Sequence, residues 1–332
     1  MIDKTTSKFI KIIAIFMMIL HHMYAFPERI ASEITVSHFI LKVALGFRLC
    51  VPIFILISGY GFGIKIHNSS ITKRYIFKRV ISFYYLFWFT MIITLPVGKL
   101  LNKSMFLDEK ITVGNILGFA SDYNKEWWFV GLYISLVLAL PLFSYLYKEG
   151  KKKFCGVSII LYVVGVLYKK LGFNKIINCV ILNNSIENFL VYQIVLCTGI
   201  LLADKKVSSK IELYFTNRII AFCMIVFSCC IRIFLPRQIY RLDFLLAAGV
   251  VIGIAYFIDE MKIKKIVNFF PDNTVTFMWL THTFFCYYYL KDVVYYFQNI
   301  VVQVIIEVLL TYIVSRGFNK IYNKIYKVIG VN

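Results

Sequence analysis

The chain has 332 residues, of which 60% are hydrophobic and only 16% charged, against roughly 45 to 50% and about 25% in soluble domains. That balance excludes a fold stable in water, and the apolar runs leave no polar stretch long enough for a separate soluble core, so residues 1–332 read as one all-α polytopic membrane domain with no appended soluble domain. The formal charge of +20 does not point to nucleic acid, because Lys and Arg gather between apolar runs and form no stripe interleaved with aromatics.

Allowing about 20 residues per span, the sequence predicts ten helices near 9–26, 42–64, 76–98, 128–147, 154–170, 187–203, 218–235, 241–258, 274–290 and 296–315. The first run follows Lys4, Lys8 and Lys11 as a signal peptide would, but it continues to His21-His22-Met23 without a small-residue cleavage site, and so reads as an uncleaved span. Positive charge then alternates between loops. Lys4/Lys8/Lys11, Lys65/Lys73/Arg74/Lys78/Arg79, Lys148/Lys151/Lys152/Lys153, Lys205/Lys206/Lys210/Arg218, Lys262/Lys264/Lys265 and Arg316/Lys320/Lys324/Lys327 form the set expected in the cytoplasm. The opposite loops carry little excess charge: Glu28, Arg29 and Glu33 in the first, four acids against four lysines between Lys99 and Glu126, and Lys291 with Asp292 in the last. Lys169/Lys170/Lys175 and Arg232/Arg237/Arg241 break the alternation. An even helix count puts both termini in the cytoplasm. The loop from Lys99 to Glu126 is the longest on the outer side, either a lid over a site or a tolerated length of chain. No internal repeat appears, which argues against transporters built from repeated halves. The eight cysteines have no CxxC pair or zinc-like spacing and read as core packers, so no metal is expected.

Ionisable groups inside a span cost roughly 2.5 to 3.5 kcal/mol each on insertion scales and are therefore functional candidates. At ~1.5 Å per residue, His22 lies roughly 21 Å beyond Lys8, in the outer third of a ~30 Å core, and Arg48, on the second helix, lies at a similar outer depth. These two can meet in one external cavity. Ser58 lies roughly 10 Å from the cytoplasmic boundary and His282 near the midplane at ~15 Å. If their helices pack together, Ser58, His282, His22 and Arg48 form a polar ladder across the bilayer; otherwise each satisfies a neighbouring group. Lys11 and His22 fall within about 20° of one face of the first helix, and His21 about 100° away. The run Ser58-Gly59-Tyr60-Gly61-Phe62-Gly63 follows no strand and reads as close helix packing, not a nucleotide-cradling loop. Glu307, in mid-span, needs a partner, and a structural ion pair is expected. Trp127 and Trp128 open the fourth helix, where they serve either an interfacial aromatic belt or sugar stacking.

These residues resemble the acyltransferase-3 family of bacterial integral membrane O-acyltransferases of surface polysaccharides. Its first helix carries a basic residue, ten residues and a His, matched by Lys11 and His22, and its second an Arg followed by an apolar run into Ser-Gly-Tyr, matched from Arg48 to Ser58-Gly59-Tyr60. Lys73-Arg74 with Lys78-Arg79, Trp127-Trp128-Phe129 and Trp279-Leu280-Thr281-His282 extend the resemblance over nearly the whole chain. Two departures stand out. Lys11 replaces the commoner Arg and lacks its bidentate fork, and Leu132 and Tyr133 stand where many members place an acid a turn after the tryptophan.

The resemblance implies acetyl transfer from cytoplasmic acetyl-CoA to a hydroxyl of an extracytoplasmic or lipid-linked glycan, in a bacterial cytoplasmic membrane. His22 is then the expected base, since His cycles protons near neutrality. Lys11, Arg74 and Arg79 become the candidate contacts of the CoA phosphates, and Arg48 the candidate holder of an acceptor or tetrahedral oxyanion. Ser58 and His282 complete the catalytic candidates, with Ser58 or His22 able to carry an acyl-enzyme and direct transfer equally compatible, while Trp127 and Trp128 are the candidate glycan contacts. A lipid-linked glycan flippase or small-solute transporter also places Arg and His in a membrane cavity, and a non-catalytic assembly or sensor protein is the third reading.

Overall fold

The computed structural model describes residues 2–30, 35–102, 113–176, 179–215, 217–235 and 241–329, and among them there are helices and no strands. Helix α1 (Lys4–Tyr24) starts where the Asp3 carboxylate accepts from the Thr5 and Thr6 amides at 2.7 and 2.9 Å, which satisfies donors that the first turn leaves without partners. Helix α2 (His38–Gly46) runs through one tight turn, Phe47–Leu49, into α3 (Cys50–Asn68), and α4 (Lys73–Leu100) is capped by Thr72. The short α5 (Val113–Ile116) and a turn at Lys125–Trp127 lead to α6 (Trp128–Leu138), which bends by 42° into α7 (Leu140–Glu149), with Pro141 in the first turn of the second piece. Next come α8 (Lys151–Leu167), α9 (Phe173–Ile176), α10 (Val180–Leu202), α11 (Lys205–Glu212) and α12 (Arg218–Phe234). Helix α13 (Asp243–Phe257) turns by 113° into α14 (Glu260–Phe269). Finally α15 (Thr274–Thr283) continues through a wide π turn at Phe284–Tyr288, followed by α16 (Lys291–Val294) and α17 (Ile300–Ile329).

Five helical segments are long and apolar enough to cross a membrane, and up to seven if each bent pair is one span. Every one of the ten expected windows holds a helix, yet α8 and α12 have 17 residues each and α15 has 10. At ~1.5 Å per residue, 17 residues reach only about 26 Å of a ~30 Å core. The expected lid falls largely on residues 103–112, which with Glu33 and Arg237 lie outside the described residues. Side chains such as Phe77, Ile92, Phe227 and Val301 point outward, as an apolar solvent permits. For the same reason the cysteines are not uniformly core packers: Cys50, Cys197 and Cys286 are buried, but Cys179, Cys223 and Cys230 are exposed.

The glycine run packs helices, as its sequence predicts. A Cβ added to Gly59 would stand 2.3 Å from the Leu196 carbonyl oxygen of α10, and one on Gly199 would stand 2.2 Å from the Leu56 oxygen of α3. Gly63 meets Ile200 and Ala203 in the same way, whereas Gly61 faces open space. Gly59→Val is therefore expected to destabilise the protein by about 3 kcal/mol or more, since backbone blocks the added atoms on a neighbouring helix. Gly61→Ala leaves stability within about 0.5 kcal/mol of wild type; thermal melts of both variants in detergent check the pair.

Beyond the end of α10, Asp204 ties three elements together. Its carboxylate accepts from the Lys206 and Val207 amides at the start of α11, pairs with Lys151 Nζ at 2.8 Å and accepts the Tyr147 hydroxyl. Burial alone would raise this carboxyl, but the Lys151 ammonium, the Tyr147 hydroxyl and the Val207 amide outweigh it and hold it well below the usual carboxylate range. A depressed folded-state value adds stability that is present above the unfolded value of about 3.9 and is lost as pH falls through the folded one. Asp204→Asn is thus expected to melt several degrees below wild type at pH 7, with the gap shrinking as the pH is lowered through and below 4; melting curves across that range test it.

Candidate active site

Two cavities open along α1 and α3. The first, of about 560 Å³, is lined by the C-terminal end of α1 (His21, His22), by His38, Lys42 and Arg48, by Glu126 and Trp128, and by Asn188, Tyr192 and Arg232. The second, of about 460 Å³, is lined by the N-terminal half of α1 (Lys4, Ser7, Lys8, Lys11), by Ser58 and Arg79, and by Tyr133, Asp272 and Trp279. The histidine cavity and the basic cavity thus lie towards opposite ends of α1.

In the histidine cavity, the last turn of α1 is buried and its free carbonyls need donors. Tyr287, brought over by the π turn, donates to the His22 oxygen, and Tyr295 donates to that of Met23 at 3.0 Å. This fixes the backbone that carries His22. His22 Nε2 lies 3.6 Å from Glu126 Oε2, while Arg29 Nη1 holds the other carboxylate oxygen at 2.6 Å and stacks over the Tyr287 ring at 3.8 Å. On its other side the His22 ring is 5.1 Å from that of His282. His282 is fully buried; its Nδ1 lies 2.8 Å from the Trp279 carbonyl, which accepts only if Nδ1 bears the hydrogen, so Nε2 keeps a lone pair and has no partner among the described residues. His21 turns away, with Nδ1 2.7 Å from the Ala44 oxygen of α2, as its 100° offset requires.

Glu126 owes its place to its neighbours in sequence. Asn124 donates to the Thr283 hydroxyl at 2.8 Å and the Trp127 indole donates to the Leu280 oxygen at 3.1 Å, so both sides of Glu126 are pinned to α15. Trp127 is buried between Phe87 and Phe284 and lines neither cavity, while Trp128 lines the histidine cavity against Tyr192. Arg232 Nε lies 2.8 Å from Asp243 Oδ1, and both are buried. Arg232 therefore escapes the charge alternation because it is a cavity-wall group with a buried counter-ion; Lys169 likewise has a partner, Glu187, at 3.0 Å.

The basic cavity gathers four cations, Lys4, Lys8, Lys11 and Arg79, around one acid, Asp272. Arg79 Nε donates to the Tyr75 hydroxyl at 3.4 Å, whereas Arg74 is exposed and lines neither cavity. Ser58 opens into the basic cavity with its hydroxyl donated to the Phe54 oxygen at 2.8 Å. The expected ladder is thus divided: His22, His282 and Arg48 lie at or beside one cavity and Ser58 at the other. Glu307 is fully buried, and its partner is the Thr311 hydroxyl at 3.0 Å, not the expected cation. Among the described residues, no group of three His, Cys, Asp or Glu side chains could hold a metal ion.

Residues 7–317 match the family model for the acyltransferase domain of the acyltransferase-3 group. The chain belongs to the acyltransferase-3 family. No curated protein sequence and no solved structure matches it. Membership makes acyl transfer the chemistry of this acyltransferase-3 chain and places it in a membrane. Leu132 and Tyr133 carry no acid, and the carboxylate beside His22 is that of Glu126, which precedes the tryptophans. Its local signal, an acid flanked by Asn124 and Trp127, is too short to read without the packing. As a positioning residue for His22, Glu126 is expected to lower kcat by roughly 10²-fold on change to Gln, with KM for the acyl donor unchanged. Trp127→Phe, which removes the indole donor that pins the turn, lowers kcat in the same way by about tenfold; steady-state kinetics with both variants decides.

Proposed function

We propose that this acyltransferase-3 protein moves an acetyl group from cytoplasmic acetyl-CoA to a hydroxyl of a surface or lipid-linked glycan on the far side of a bacterial cytoplasmic membrane. The observation that carries the reading is the pair of cavities along α1 and α3, one cationic and one that places His22 beside the Glu126 carboxylate. A donor bearing several phosphates favours the cavity with Lys4, Lys8, Lys11 and Arg79, because clustered ammonium and guanidinium groups form charge-assisted hydrogen bonds to phosphate oxygens. Arg74, exposed nearby on α4, attracts the donor to that face. The distribution of Lys and Arg supports the orientation: Lys4, Lys8, Lys11 and Arg79, which line the basic cavity, belong to the positively charged set expected on the cytoplasmic side, so that cavity opens inward.

A glycan hydroxyl then approaches through the histidine cavity, where Trp128 and Tyr192 offer aromatic faces. The His22 imidazole takes the hydroxyl proton, and the imidazolium that forms is stabilised by Glu126, itself held by Arg29. The alkoxide oxygen bonds to the thioester carbonyl carbon, the negative charge on the tetrahedral oxygen is met by Arg48, and the C–S bond breaks to release the CoA thiolate, which ends as the thiol. His282 stands in ring contact behind His22 with an open Nε2 that can receive a proton. Ser58, in the basic cavity, is placed to touch the donor and not the acceptor. Direct transfer is favoured over a Ser58 acyl-enzyme, since the Ser58 hydroxyl is donated to the Phe54 backbone oxygen and not to a base.

The test uses protein in liposomes supplied with radiolabelled acetyl-CoA and a crude cell-surface glycan extract. Base-labile label is expected in the glycan, reduced by at least about 10²-fold in His22→Ala and unchanged in Gly61→Ala. If folded protein moves no label from acetyl-CoA or longer acyl-CoA donors while it carries labelled glycan or solute across the bilayer, the transport reading replaces this one.

A further inference from the structure

The two cavities share one lining residue, Val51. It lies on the α3 stripe that begins with Arg48 in the histidine cavity and ends with Phe54 and Ser58 in the basic one. Spacings of three, three and four residues keep these four side chains on one face. On α1, Met18 stands between Lys11 and His22 in sequence and lines the basic cavity. Opposite, Trp128 faces one cavity and Phe129 the other, and Phe129 meets Trp279 edge-on at 5.3 Å. The side chain common to both chambers is therefore apolar, and Met18, Phe129 and Trp279 add an uncharged portion to the lining of the basic one, with the Trp279 indole N–H as its polar group.

Valine branches at Cβ and holds essentially one rotamer in a helix. The wall that both cavities share at Val51 is therefore a stiff one. The carbonyl carbon under attack has to be reached from the histidine cavity while its sulfur stays joined to a donor in the basic cavity. The chain attached to that carbon then lies against the shared wall.

Resting on the reading of the protein as an acyl-CoA-dependent O-acyltransferase, we propose that Val51 is the specificity-determining residue that limits the transferred group to a short, uncharged acyl chain. In the step concerned, the acceptor oxygen–carbon bond forms and the carbon–sulfur bond breaks. The hydroxyl proton leaves through His22, and the thiolate is protonated to the thiol. Val51 takes no part in these exchanges; it sets how many carbons fit beside them. One methylene in such an apolar site is worth roughly 10- to 200-fold in discrimination.

The experiment compares acetyl-, propionyl-, butyryl- and succinyl-CoA as donors to the crude glycan extract, using full-length wild type, Val51→Ala and Val51→Phe in liposomes. Wild type is expected to prefer acetyl and to reject succinyl. Val51→Ala raises the butyryl-to-acetyl ratio of kcat/KM by about tenfold or more, without admitting succinyl. Val51→Phe loses acetyl transfer while its KM for acetyl-CoA in the residual reaction stays near that of wild type, and a melt like that of wild type separates closure of the passage from misfolding. An unchanged chain-length ratio in Val51→Ala, with wild type active, overturns the role of Val51 alone. Complete inactivity of folded wild type with every donor overturns the acyltransferase reading, and this inference with it.

Discussion

The close approach of α3 to α10 governs where everything else in the site can stand. Gly59, Gly63 and Gly199 leave no side chain between the two backbones, so any added carbon meets a carbonyl or Cα of the facing helix. In a bilayer the lipid is as apolar as leucine, and helices associate through such van der Waals fit and not through expulsion of water. The glycine face of α3 is turned roughly 80 to 140° from the face of Val51 and Ser58. Gripping α3 on one side therefore aims the other at α1, and because α3 lines both cavities, its standoff sets their shapes together.

A second constraint follows from the apolar surroundings. Charges taken from water are tolerated only when paired and further hydrogen-bonded. Arg29 with Glu126 meets that demand, since Arg29 also donates to the Tyr288 hydroxyl, and the buried Arg232 is paired with Asp243. Tyr287 and Tyr295 do the same for the buried end of α1. The polar groups around His22 are consequently fixed before any substrate arrives, and a preformed set of dipoles in a low dielectric is what stabilises developing charge most effectively. The π turn contributes directly, since the extra residue in that turn carries Tyr287 over the His22 carbonyl.

Division into two chambers gives the arrangement its functional sense. One helix, α1, presents lysines to one chamber and an imidazole to the other, while α3 presents Ser58 to the first and the turn that leads into it presents Arg48 to the second. In the transfer proposed above, a polyanionic donor and a hydroxyl acceptor occupy separate cavities, and the transferred group lies at Val51, the residue both linings share.

The amino-acid sequence by itself determined the helical membrane class, the stripe joining Lys11 to His22, the packing role of the glycine run and the family. All of these are local: apolar content and the 3.6-residue period fix which residues share a face, whatever that face meets. Depth along a helix was also legible, and it correctly placed His22 and Arg48 at one cavity. Depth carries no information on azimuth between helices, so the separation of Ser58 from that cavity, the pairing of Glu126 with His22 and the burial of Trp127 were decided only by the tertiary structure. Glu126 comes from a turn 97 residues from its partner Arg29, and Glu307 met a threonine on its own helix where a cation was expected. Span number is similarly unreadable from apolar windows, because broken and short helices such as α6 with α7, α8 and α12 satisfy a composition rule without each reaching across the core on its own. The bundle supplies what the windows lack, satisfying broken backbone within protein that lipid could not.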